Sequence, residues 1–201
     1  MEFKWILISV VSLIVILIGV LAYIYTSMEK ATVNLYPDLI REVLNGAKPS
    51  LSISVTGFNN NTRIPSNYTC DGADISPEII VSNIPIGTKY LAILVYDIDA
   101  PRGVFYHWLI YNIRVNDREV IIRPGIEQEI RTSIGVQAIN DFGKPGYNGP
   151  CPPPGHGIHR YVFIVFALDK EISASGKIVD VVKEFKDHVV AYGVYIGLYE
   201  R

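Results

Sequence analysis

The chain has 201 residues, 19% of them charged, and a formal net charge of -2. This length accommodates one domain of about 150 residues with an appendage. Nucleic-acid binding is excluded as a function class, because it requires a basic surface that this charge balance does not supply. The mean hydropathy of +0.26 is high for a water-soluble domain, and much of the excess lies in the first 26 residues.

The first predicted element is a membrane-spanning helix over residues 5–26, within an N-terminal segment assigned to residues 1–27. Trp5–Tyr25 contains no charged residue. About 20 helical residues at 1.5 Å each match the roughly 30 Å hydrocarbon core of a bilayer. A cleaved signal peptide is the alternative, because Val20-Leu21-Ala22 resembles a cleavage site. A buried core helix fits less well, since apolar residues occupy every face.

The charges that flank this helix do not orient it, because Lys4 lies on one side and Lys30 on the other. Two Asn-x-Thr tripeptides, beginning at Asn60 and Asn67, fall in one polar stretch that predicts an exposed loop. Such tripeptides accept N-glycans on exported proteins. They favour a single-pass membrane protein whose C-terminal domain lies outside the cytoplasm.

The chain contains two cysteines, Cys70 and Cys151. Outside the cytoplasm an even number of cysteines is consistent with one disulfide. Two buried free thiols are the alternative.

Residues 28–50 predict a stalk with a short amphipathic helix. The apolar residues that carry this pattern are Leu35, Leu39, Ile40 and Val43. Asn45-Gly46 is typical of a helix end, and Pro49 is a second break. We expect the folded domain to begin after it.

Residues 51–201 predict one mostly β domain, an antiparallel β-sandwich with a C-terminal helix. In Leu51–Val55 apolar and polar residues alternate, as in a half-buried strand. Lys177–Val190 has the apolar spacing of a helix. Further strands are predicted at Ile79–Val81, Tyr90–Tyr96, Phe105–Ile113, Arg160–Leu168 and Tyr192–Tyr199.

Polar groups cluster where these strands begin or end. Asp97 and Asp99 follow one apolar strand, His107 opens the next, and His159 opens a third. Taken singly, such carboxylates are often turn caps and such histidines often pack as ordinary strand-edge residues. The combination is a candidate site.

The combination also resembles the phosphatidylethanolamine-binding protein family, called Raf kinase inhibitor protein in animals, in its bacterial and archaeal branch. The resemblance covers about 150 residues and has one departure, because Ile98 replaces the middle proline of the usual Asp-Pro-Asp-Ala-Pro block. We expect this change to loosen the turn and to preserve the pocket. The blocks that carry it are Tyr68-Thr69-Cys70-Asp71-Gly72 with Ser76-Pro77, Asp97-Ile98-Asp99-Ala100-Pro101, His107-Trp108 with Tyr111-Asn112-Ile113, Asn140-Asp141-Phe142-Gly143, Gly149-Pro150-Cys151-Pro152-Pro153 and His159-Arg160-Tyr161.

The resemblance implies a small anion-binding pocket without a cofactor or metal. Its expected lining, carried over position by position, is Asp97, Asp99, Pro101, Phe105, His107, Gly149, His159 and Tyr161. Histidine N–H groups, the Tyr161 hydroxyl and backbone N–H groups near Gly149 would donate to the anion, with the carboxylates supporting the histidines. A disulfide between Cys70 and Cys151 would hold the rim of this pocket. Because both histidines lie at strand ends, we expect their replacement by alanine to abolish binding without unfolding the domain.

The leading functional hypothesis is a regulatory or inhibitory binding protein rather than an enzyme. Its expected ligand is a small anion or a phospholipid head group, and its partner classes are an extracellular protease, serine proteases among them, and subunits of a membrane complex. An accessory structural subunit is the alternative. A metal-dependent hydrolase is weaker, because Asp97, Asp99, His107 and His159 are metal-ligand types without a recognised metal-binding spacing. Nucleophilic catalysis is weaker still, since the chain lacks a Gly-x-Ser-x-Gly elbow.

Overall fold

The computed structural model describes residues 14–25 and 35–201. Residues 14–25 are helical, and their side chains are exposed and apolar apart from two tyrosines. They belong to the predicted helix at 5–26, whose remaining residues lie outside the described ranges, as do residues 28–34 of the predicted stalk. Within the ranges described, no helix is long and apolar enough to cross a bilayer. The anchor therefore stays a prediction.

A separate compact unit runs from Pro37 to Arg201. It includes residues 37–50, which the sequence analysis assigned to a stalk. They join the unit because helix α1, Asp38–Val43, buries Ile40 and Val43. Lys48–Pro49 then pairs in parallel with the last strand of the domain.

Two sheets, two short α-helices and one 3₁₀ helix, Ser66–Tyr68, form this unit, as predicted for a mostly β domain. The large sheet has seven strands in the order β1-β10-β9-β5-β6-β8, with β3 also paired to β10, and the small sheet is β2-β4-β7. The strands are β1 Lys48–Pro49, β2 Ser52–Val55, β3 Thr62–Arg63, β4 Ile79–Ser82, β5 Tyr90–Asp97, β6 Phe105–Arg114, β7 Val120–Ile122, β8 Val136–Gln137, β9 His159–Leu168 and β10 Val189–Tyr199, and the second helix is α2, Ile178–Lys183.

The core lies on both faces of the central strands β5 and β9, which explains their nearly continuous apolar sequences. One face, including Ile93 and Phe163, contributes to the cluster that also holds Val81 of the small sheet. On the other face Phe166 packs edge to face against Phe185, which follows α2, with ring centroids 5.3 Å apart. This leaves the ends of β5, β6 and β9 as the place where polar side chains can gather.

The predicted helix at Lys177–Val190 is wrong in its second half. Helix α2 ends at Lys183, and Asp187 has a positive φ of 64°, which a helix does not permit. From Val189 the chain pairs with Leu168 of β9 instead. Sheet pairing therefore overrides the helical spacing of apolar residues in this segment.

Candidate functional site

A cavity of about 260 Å³ lies where β5, β6 and β9 meet the loop after Gly149. Five of the eight predicted site residues line it: Asp97, Pro101, Phe105, His107 and His159. Five residues outside the predicted lining complete it: Ala100, Phe142, Cys151, Pro152 and Pro153. Of these, Cys151 was predicted at the rim. The walls are therefore mainly aromatic and proline side chains, with a few polar groups at defined points.

The turn after β5 is held by hydrogen bonds at both ends. Asp97 Oδ1 accepts from the Asp99 N–H at 2.8 Å, as Asp side chains do in tight turns. The Ile98 N–H donates to the Arg160 carbonyl of β9, with an N–O distance of 3.3 Å. Proline has no N–H to make this bond. The Ile98 N–H therefore adds a bond that opposes the expected loosening of the turn.

Asp99 faces away from the cavity and binds Arg160 instead. Its two carboxylate oxygens accept from Arg160 Nη2 at 2.6 Å and Nε at 2.8 Å. This guanidinium lowers the pKa of Asp99. The bidentate pair ties the turn after β5 to β9. Asp99 thus supports the site without lining it.

Asp97 and His159 form the buried polar pair of the cavity. Asp97 Oδ2 lies 2.7 Å from His159 Nδ1, and both side chains are almost fully buried. A carboxylate accepts, so Nδ1 carries the proton. His159 Nε2 lies 2.7 Å from Nδ1 of the exposed His156. His156 was not predicted, although its position three residues before His159 in a short loop was a usable signal.

His107 is held by a backbone carbonyl rather than by a carboxylate. Its Nδ1 lies 2.7 Å from the Asn148 carbonyl oxygen, so this nitrogen is the N–H donor. Burial lowers the pKa of His107, although Asn148 and Asp97 oppose that shift. No hydrogen bond joins Nε2 to a residue that the structure describes. Burial favours the neutral form of His107, and in that form Nε2 is a free acceptor.

Gly149 serves packing, not donation into the cavity. Its N–H donates to Asp74 Oδ1 at 2.6 Å, so it is not free for an anion. A side chain here would place Cβ 2.0 Å from the Tyr68 carbonyl oxygen. The predicted donors were the backbone N–H groups of this loop, and the N–H of Gly149 itself is not available among them. The glycine is required by close approach of two loops.

Tyr161 is fully buried beside the cavity, and its hydroxyl lacks a hydrogen-bond partner. Among the described residues only one other buried side-chain hydroxyl, that of Thr88, shares this property. Burial and the charge of Asp97 raise the pKa of Tyr161, so the hydroxyl keeps its proton. Asp97 and the backbone N–H of Cys151 both lie close enough to the hydroxyl to act on its pKa, in opposite directions, although neither contact has full hydrogen-bond geometry. The Tyr161 ring packs edge to face against His107 at 5.3 Å.

The aromatic wall is formed by Phe105 and Phe142. Their ring centroids are 4.8 Å apart, and each lies just over 5 Å from the His107 ring. Phe142 remains 43% exposed, so it marks the mouth of the cavity. Its loop was noted only as a family block, because a single exposed phenylalanine has no periodicity to assign it to a site.

A disulfide crosses the rim of the cavity. Cys70 and Cys151 are bonded, with an S–S distance of 2.08 Å. The Cys70 N–H also donates to the Pro150 carbonyl. Cys151 lines the cavity while Cys70 belongs to the facing loop. The bridge that the family resemblance implied is therefore present in the structure.

The remaining predicted positions lie on the surface. Asn60 and Asn67 are both exposed, and Asn60 Oδ1 accepts from the Ile196 N–H at 2.7 Å. Their glycosylation stays a prediction. Across residues 14–25 and 35–201, no group of three or more His, Cys, Asp or Glu side chains is arranged to hold a metal ion.

Fold and cavity together define a class, that of two-sheet β proteins with an aromatic-walled cavity at the ends of the central strands. The chain belongs to the phosphatidylethanolamine-binding protein family, whose model matches residues 54–200.

Relatives of known sequence and structure agree with this membership. A UPF0098 protein of Pyrococcus horikoshii is 42% identical, over 79% of this chain and 81% of its own length. A UPF0098 protein of Aquifex aeolicus is 45% identical, over 72% of this chain and 85% of its own length. The crystal structure of Escherichia coli YbcL, described as a member of the mammalian PEBP family, is similar with a TM-score of 0.68 and 25% identity, over 76% of this chain and 99% of that one. The crystal structure of a putative homologue of the same family from Chlamydia trachomatis has a TM-score of 0.66 and 29% identity, over 77% of this chain and 99% of that one.

Proposed function

We propose that this chain is a non-catalytic binding protein that captures a phosphate-like group in the cavity between Asp97 and Phe142. One observation carries the proposal: the buried Tyr161 hydroxyl has no partner, next to a His107 ring with a free Nε2. An unpartnered buried polar atom costs free energy unless something binds it. A small polar ligand would supply that partner.

The rest of the cavity supports binding of a head group rather than of a whole molecule. Ligand pockets of drug size measure about 300–1,000 Å³, and this cavity holds about 260 Å³. Phe105 and Phe142 would cover the apolar part of the ligand. Phosphorylated small molecules and phospholipid head groups share this chemistry.

The proposal extends to location and role. A helix at 5–26 would anchor the chain, with the domain outside the cytoplasm, supported by the uncharged Trp5–Tyr25 segment and the exposed Asn60 and Asn67. In that setting the bound domain would regulate or inhibit an extracellular protease or a subunit of a membrane complex. Protease accessibility of the domain in intact cells tests the location, and full protection of the domain would contradict it.

The binding proposal is tested by calorimetric titration of the full-length chain with phenyl phosphate, and by co-sedimentation with vesicles containing phosphatidic acid. The first probe is a free phosphate monoester and the second a lipid source of the same group. We expect Tyr161→Phe to lose binding. Thr88→Val is the matched control, because it removes the other unpartnered buried hydroxyl and should bind normally. No binding of either probe would contradict the proposed function.

A further inference from the structure

We propose that the cavity selects its ligand in the acid form: a phosphate monoester that still carries one P–OH group. This inference rests on the proposed function and adds the protonation state of the ligand. The P–OH would donate to His107 Nε2, and a second phosphate oxygen would accept from the Tyr161 hydroxyl.

The acceptor half of this arrangement follows from the tautomer of His107. The Asn148 carbonyl can only accept, so the single proton of the neutral ring stays on Nδ1. Nε2 then presents a lone pair. It becomes a donor only if the ring takes up a second proton, and burial of His107 opposes that charge. A ligand that brings its own proton meets no such cost.

The donor half is the Tyr161 hydroxyl, which remains protonated and unpartnered. Three other candidate donors are already committed. Gly149 donates to Asp74, the Arg160 guanidinium is paired with Asp99, and His159 donates to Asp97. The free side-chain donor, the Tyr161 hydroxyl, matches a P–O oxygen of the ligand. The free acceptor, His107 Nε2, matches a P–OH group.

The charges that face His107 favour the same form. Asp97 approaches from β5 and Asp74 from the loop that follows Cys70, and both act on the ring as negative charges. From β9 the cavity receives His159, already bonded to Asp97, and the uncharged Tyr161. A phosphate dianion would therefore enter beside a carboxylate, and the described lining of the cavity holds no Lys or Arg to offset it.

Three small probes separate the acid form from charge alone. Phenyl phosphate has a second pKa of about 6 and keeps one P–OH below it. Phenyl sulfate has the same shape and one negative charge but no hydroxyl, and methyl phenyl phosphate is likewise a monoanion without P–OH. Titration of the full-length chain with each, between about pH 5.5 and 7.5, gives the comparison.

We expect phenyl phosphate to bind and its affinity to fall about 25-fold over that range, as the fraction with P–OH falls. Phenyl sulfate and methyl phenyl phosphate should bind at least tenfold more weakly at every pH. Equal affinity for the sulfate would overturn this inference and leave the proposed function standing. Binding of none of the three would overturn both.

Proton linkage alone does not say whether ligand or ring holds the proton, so a second readout is needed. In the phenyl phosphate complex, ¹⁵N spectra should show His107 Nε2 as an unprotonated ring nitrogen. A doubly protonated His107 would overturn the inference. The variant His107→Gln adds a donor and should narrow the phosphate-to-sulfate ratio, whereas Thr88→Val should keep it.

Discussion

Asp97 and His159 stand on neighbouring strands with 2.7 Å between Oδ2 and Nδ1, and neither side chain is more than 4% exposed. The carboxylate also accepts the Asp99 N–H, so one residue links the turn after β5 to the start of β9. The pair is therefore part of the folded structure as well as of the cavity.

His159→Ala should reduce the free energy of unfolding by about 3 kcal/mol, because it leaves a buried carboxylate without its partner. The sequence-based expectation was that both histidines could be replaced without unfolding the domain, but that expectation placed them outside the core, and both are buried. Urea denaturation measures the loss. His188→Ala is the control, since His188 and Asp169 form a similar pair at the surface and should cost less than about 1 kcal/mol. Similar losses in both variants would contradict the prediction.

The stability of the protein should fall as pH falls below about 6.5, the ordinary pKa of histidine, in part because of His107. Burial lowers the pKa of this residue in the folded state, so the unfolded chain binds a proton that the folded chain does not. The stabilisation that comes from His107 is fully present above about pH 6.5 and is lost as the pH falls below that value. Urea midpoints measured from pH 8 to 5 should fall more steeply for the natural chain than for His107→Gln. Parallel curves would rule out His107 as a source.

Reduction of the Cys70–Cys151 bridge should lower the free energy of unfolding by about 4 kcal/mol. The bridge closes a loop with a sequence separation of 81 residues, and loops of that size give such values in chain-entropy models. Denaturation with and without dithiothreitol measures the change, with the double variant Cys70→Ser and Cys151→Ser as the control that reductant should not affect. Unreduced peptide mass spectra that show two free thiols would refute the bridge itself.

Gly149→Ala should destabilise the domain by about 2–3 kcal/mol and weaken ligand binding. The added Cβ would overlap the Tyr68 carbonyl oxygen and force the loop that carries Cys151 outward. Gly155→Ala is the matched control, because a Cβ there meets open space and costs only the strain of a φ of +74°, about 1 kcal/mol. Thermal denaturation and phenyl phosphate titration of both variants make the test. An unaffected Gly149→Ala would mean that the two loops can separate freely.

The long strands of the fold could be predicted because burial leaves a pattern in their sequences. β5 and β9 are apolar on both faces, and their observed bounds lie within one residue of the prediction. The strands β1, β3 and β8 could not be predicted, since two residues are too few to show alternation and pairing partners decide them. The same dependence on a distant partner converts residues 189–190 from predicted helix to strand.

The site was predictable to the level of residue type and not of hydrogen-bond partner. Asp97, His107 and His159 were assigned correctly to one cavity. Asp99 and Gly149 were misassigned, because nothing in a linear sequence shows that Arg160 and Asp74 occupy them first. The direction of hydrogen bonding at His107 was likewise hidden, since it depends on a carbonyl 41 residues away.

The exposed ring of Phe142 lies at the mouth of the cavity, so a bound ligand can extend beyond the cavity at this point. A cavity of about 260 Å³ encloses an end group, and whatever carries that group must lie outside, across the Phe142 edge and the loops joined by the disulfide. Two parts of the protein then contribute to recognition. The interior of the cavity binds the end group, and the surface around the mouth contacts the molecule that carries it. Relatives could keep the same interior and serve different carriers by changing only the loops around the mouth.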